Sequence, residues 1–140
     1  IKSILSRSKL VHAEPLNIKS IVDNATPYIS PNLTGEAILT VGSSLTEVAS
    51  HACGVIAIGP FGCMPNRISE AILSEVMTRE GKAAVNDHPE PILDRLAPGE
   101  PLPFMAIESD GAAFPQVTEA RLEAFLLRAR RLHERISSIR

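Results

Sequence analysis

Gly54-Val55-Ile56-Ala57-Ile58-Gly59-Pro60-Phe61-Gly62-Cys63-Met64-Pro65-Asn66 is the stretch on which the reading of this chain turns. Its first half, Gly54 to Ile58, is a near-continuous apolar run rather than an alternating one. Such a run fits a strand covered on both faces in a parallel sheet. Its second half is a tight loop in which two glycines and two prolines surround one thiol, Cys63. Pro65 suits the first turn of a helix. Ile68, Ala71, Ile72 and Val76 then form an apolar stripe that predicts a helix through Glu80, with Gly81 as its stop.

Two further apolar runs flank this one. Ala37-Ile38-Leu39-Thr40-Val41 ends at Gly42, and Pro103-Phe104-Met105-Ala106-Ile107 runs into Glu108-Ser109-Asp110-Gly111. Both are predicted as strands. Ser44 and Glu47 have capping-box spacing, which predicts a helix from Ser44 to His51. Leu122, Phe125, Leu126, Ala129 and Leu132 predict a long helix over 118–136. Ile18, Ile21, Val22 and Ala25 suggest a short helix ended by Pro27, and Ile1 to Leu10 a weaker one. The proline-rich segment 81–103 reads as loop with one turn near Ile92 to Leu96. Alternating β and α elements imply right-handed parallel crossovers. The expected fold is therefore α/β: a three-layer sandwich with a small, mostly parallel, Rossmann-like sheet. Residues 1–140 form a single domain in this reading, a fragment of a larger multidomain protein. Three strands make a small sheet, which strands of a longer parent chain or a homodimer partner would extend.

Composition excludes several classes. Apolar residues make up 44% of the 140 residues and charged ones 21%, so the chain has enough apolar content for a core and is not disordered as a whole. A net charge of −2 supplies no electrostatic reason for nucleic acid or an anionic membrane as partner. Arg128, Arg130, Arg131, Arg135 and Arg140 crowd the C-terminus but alternate with apolar residues, as on the solvated face of a helix. No apolar run approaches the roughly 18 residues of a membrane span. Two cysteines without a secretory signal point to a reducing, cytoplasmic setting.

Sites in such a sheet form beyond the carboxyl ends of the strands. There the loop delivers Cys63 to the start of a helix, whose positive dipole end would favour thiolate, the form that binds soft metals or attacks electrophiles. The competing reading of Cys63 is a structural loop cysteine. Cys53 sits before the second strand. At about 3.3 Å per residue, Gly54 to Pro60 separates it from Cys63 by about 23 Å, too far for a disulfide or a shared metal. It reads as a buried small hydrophobe, so alkylation is expected at Cys63 first. Glu108 and Asp110 are candidates for a polar ligand or for acid–base work, or they cap the following helix. Ser43 and Ser44 are capping residues or phosphate ligands, though their loop lacks the dinucleotide-binding glycine pattern and a P-loop lysine. His12, His51, His88 and His133 show no metal-ligand spacing and read as surface or capping residues. Met64 and Met105 read as packing residues.

Gly35-Glu36-Ala37-Ile38-Leu39-Thr40-Val41-Gly42, followed by Ile58-Gly59-Pro60-Phe61-Gly62-Cys63-Met64-Pro65-Asn66, resembles the C-terminal region of CoA-substrate-specific enzyme activases, relatives of the 2-hydroxyglutaryl-CoA dehydratase activators. Pro103 to Asp110 and Glu119-Ala120-Arg121-Leu122-Glu123-Ala124-Phe125 are similar to the end of the same group. The resemblance covers Tyr28 to His133 with a gap in the proline-rich segment. It implies anaerobic, low-potential electron transfer serving radical dehydration of a 2-hydroxyacyl-CoA or related reductions. It also implies a 4Fe–4S cluster in the full-length protein, with Cys63 as a ligand or close to it and Gly62, Pro65 and Asn66 alongside. The implied partners are the remainder of the parent chain, an activator ATPase domain or a dehydratase subunit. The ATPase motifs are not in this chain, and one ligand cysteine does not make a cluster, so the isolated fragment is expected to carry none and to be inactive. The alternative is a non-catalytic domain that docks or scaffolds an ATPase or dehydratase partner.

Overall fold

The apolar run Val55–Pro60 forms strand β1 and Phe104–Ser109 forms β2 in a computed structural model that describes residues 17–85, 91–111 and 116–138. The two strands pair in parallel, from Val55 opposite Phe104 to Pro60 opposite Ser109. The fold is mixed α/β around this two-stranded parallel sheet. Helices α1 (Ile18–Ala25) and α2 (Ala37–Glu47) precede β1. Parallel strands need a long crossover. Here it consists of α3 (Met64–Val76), α4 (Arg79–Val85) and the 3-10 turn Leu93–Arg95. Helix α5 (Gln116–Ser137) follows β2.

The run predicted as the first strand is the helix α2. Its buried positions are Ala37, Ile38, Val41, Gly42, Ser44 and Leu45, which recur at helical spacing, while Leu39 is 39% exposed. Gly42, read as a strand stop, lies inside the helix at a close crossing with α1. A Cβ there would come 2.0 Å from the Ile21 carbonyl oxygen. Ser44 does not open a helix either. The hydroxyls of Ser43, Ser44 and Thr46 donate to the carbonyls of Leu39, Thr40 and Gly42 at 2.6, 2.7 and 2.7 Å, one turn back along α2. Among the described residues the third strand is therefore not formed.

The end of α2 is closed by a residue from another element. Ala49 takes a positive φ of 64°, and Lys82 of α4, wholly buried, donates from Nζ to Leu45 O, Thr46 O and Ser50 Oγ, each at 2.8 Å. One ammonium thus satisfies the terminal carbonyls and complements the negative pole of the helix dipole. Gly81 is part of α4 rather than a stop, and α3 ends earlier, at Val76. The short N-terminal helix, the turn near Leu93 and the long C-terminal helix lie where the sequence predicts them. The expected helix at Ile1–Leu10, with His12 and His88, falls outside the described residues.

Two apolar clusters hold the elements together. The larger joins Ala25, Val41, Leu45, Leu73, Leu93 and Leu102, with Val55 and Phe104 packed against it from the sheet. A fully buried leucine of this kind contributes about 1.5–3 kcal/mol. The smaller cluster joins Met105 and Ile107 to Phe125 of α5. Alternate residues of β2 thus face different clusters, as strand pleating requires. Leu126, expected on the buried stripe of α5, is 47% exposed.

Candidate site at the carboxyl ends of the strands

Beyond β1 the chain turns sharply. Cys63 N donates to Pro60 O at 3.1 Å, and Gly62 takes the positive φ of 74° that the turn needs. Phe61 N donates to Ser109 O at 3.1 Å, which ties the loop to the end of β2. Cys63 becomes the N-cap of α3, with Pro65 in the first turn, and its side chain makes no capping bond. The thiol is half-buried, while its neighbours Phe61 and Met64 are 76% and 61% exposed. Met64 is therefore a surface residue, not the packing residue expected of it.

Asn66, buried on α3, packs across Gly59: a Cβ on that glycine would come 2.7 Å from Asn66 Cγ. The glycine before the loop is thus required by side-chain contact. Glu108, half-buried on β2, lies 2.7 Å from Arg67 Nε, and Arg67 also pairs with Glu70 at 3.1 Å. The Arg67–Glu108 contact is close but lies outside hydrogen-bond geometry, since Glu108 Oε1, like Asn66 Nδ2, has no hydrogen-bond partner. Arg67, Glu70, Glu108, Thr118 and Arg121 line a polar cleft beside β2, where Arg121 donates to Ala106 O at 3.1 Å. Arg67 and Arg121 are participants that the sequence reading did not single out. An arginine two residues after a proline in the first helical turn carries no signal of its own.

The structure brings together the Cys63 loop, Asn66 and Glu108. Asp110 lies just beyond β2, exposed. Ser43 and Ser44 do not join this group, because they stand within α2 with their hydroxyls engaged by its carbonyls. Cys53 is half-buried rather than buried.

A four-thiolate cluster does not fit within one copy of the chain. The sequence holds two cysteines, they lie beyond opposite ends of β1, and no group of three or more His, Cys, Asp or Glu among the described residues could hold a metal ion. Cys63 and Cys53 are each half-buried, so either could offer a single soft ligand and neither a complete site. No helix among the described residues is long and apolar enough to cross a membrane. Comparison with known proteins gives no match, either to a family model, to a curated protein or to a solved structure.

Proposed function

We propose that this chain is the C-terminal α/β module of a cytoplasmic protein of the CoA-substrate-specific activase type, supporting iron–sulfur-dependent electron transfer for a 2-hydroxyacyl-CoA dehydratase. In this reading it contributes Cys63 to a cluster whose other thiolates come from the remainder of the parent chain or from a partner subunit. One observation carries it: the half-buried Cys63 at the start of α3 is framed by exposed Phe61 and Met64, so the thiol opens onto a surface suited to cover by another chain. A Rossmann-like, three-layer arrangement belongs to the same reading, with the parent's strands extending the sheet from β1.

The test is Cys63→Ser in the intact protein, reconstituted with iron and sulfide without oxygen. Loss or alteration of the cluster absorption is expected, because an alkoxide matches iron less well than a thiolate. Unchanged iron content, spectrum and electron transfer would sink the ligand assignment. That result would favour the docking reading, in which the domain seats an ATPase or dehydratase partner without chemistry of its own. The exposed Ile56, Ile58, Phe61 and Met64 are the feature that favours this second reading.

A further inference from the structure

Cys53 and His133 are 80 residues apart in sequence, yet Cys53 Sγ lies 3.4 Å from His133 Nδ1. Two packing features hold them there. The turn before β1 is fixed by Ala49 N donating to Ala52 O at 2.8 Å and by Ala52 N donating to Glu47 O at 2.9 Å. Helix α5 is seated beside that turn by Phe125, whose ring would lie 2.8 Å from a Cβ on Gly54. On the far side of the imidazole, Nε2 lies 3.4 Å from Ser137 Oγ. A proton on Nε2, directed at that hydroxyl, leaves Nδ1 free to accept from the thiol.

We propose that Cys53 and His133 form a reactive thiol–imidazole pair and that Cys53 is a site of S-thiolation by low-molecular-weight disulfides. Transfer of the thiol proton from sulfur to Nδ1 across the 3.4 Å contact yields the thiolate, the reactive form of a cysteine. The Cys53 thiolate attacks one sulfur of the disulfide. The protein–sulfur bond forms as the original S–S bond breaks, and the departing thiolate takes the proton from His133. The disulfide is reduced, Cys53 is oxidised, and one thiol leaves. Cys53 is half-buried and His133 exposed, so a small disulfide can approach from the imidazole side.

The assignment is independent of any role for Cys63 and reverses the order of thiol reactivity expected from sequence. Cys63→Ser leaves Cys53 as the reporter, and Cys53→Ser leaves Cys63. Glutathione disulfide or an aromatic disulfide is added to each native variant at pH 7, and the adduct is followed by mass. Cys53 is expected to react about tenfold faster than Cys63, and His133→Gln to slow Cys53 by about the same factor while leaving Cys63 unchanged. A Cys53 rate no greater than that of Cys63, or one indifferent to His133→Gln in a variant with native circular dichroism, would overturn the proposal. If His133→Gln disturbs the fold, the comparison of the two thiols in otherwise native chains still decides.

Discussion

Lys82 is wholly buried, which is rare for a lysine. Leu45 O, Thr46 O and Ser50 Oγ, to which it donates, lie at or just past the end of α2. Lys82→Met keeps the apolar stem but leaves two backbone carbonyls and a hydroxyl without their donor. A loss of about 2–4 kcal/mol is expected in urea unfolding, and a loss below about 0.5 kcal/mol would show that water replaces the ammonium. Glu80 is the opposite case, exposed yet held in place. Gly99 N donates to its carboxylate at 2.9 Å and holds its pKa below the ordinary 4.5, with Arg79 adding a weaker attraction. A lowered carboxylate pKa stabilises above the unfolded value, and that stability is lost as pH falls through the folded one. Glu80→Gln should therefore make the urea midpoint less sensitive to pH below 4.5 than in the unsubstituted chain. An identical acid limb would remove Glu80 from the account.

At the scale of elements, α2 and β1 show why similar apolar runs fold differently. Ala37 to Val41 and Val55 to Ile58 are both short and mostly apolar, and neither has a decisive period by itself. The continuation separates them. Past Val41 the positions Gly42, Leu45 and Val48 keep a helical face buried, while past Ile58 the Gly59–Pro60 pair ends any regular element. Gly42 also sets how closely α1 approaches α2, which motivates a direct test. Gly42→Ala gains about 1 kcal/mol of helix propensity but drives a methyl into the Ile21 carbonyl. The clash should prevail, with a net loss of about 1–3 kcal/mol in thermal unfolding. A stabilised Gly42→Ala variant would mean that the helices do not cross there.

For the whole molecule the unfinished feature is the outer edge of β1. The strand pairs with β2 alone among the described residues, and it carries no charge between Val55 and Pro60. Ile58 on it is 66% exposed and Ile56 36%. Protected edges carry lysine, proline or a bulge, and here Pro60 at the strand's end is the one such device. Ile58→Lys should shift folding stability by no more than about 0.5 kcal/mol, because the side chain is already in solvent. The same change should reduce self-association or partner binding in sedimentation, the behaviour of a face meant to be covered. A large loss of stability would place Ile58 in an intramolecular contact instead.

The sequence by itself determined β1, β2, α1, α5 and the loop that carries Cys63 to the start of α3. Each of these rests on a local signal: an apolar run closed by Gly-Pro, an amphipathic stripe, a proline in a first turn. Only the tertiary structure decided the rest. Whether Ala37 to Val41 coils or extends depends on which faces its neighbours cover, and that information lies in Ile21, Leu73 and Lys82, far along the chain. Whether Ser43 and Ser44 meet a ligand depends on the same choice. The meeting of Cys53 with His133 joins positions 80 residues apart through the packing of α5 against the sheet, and no spacing rule within the chain can express it.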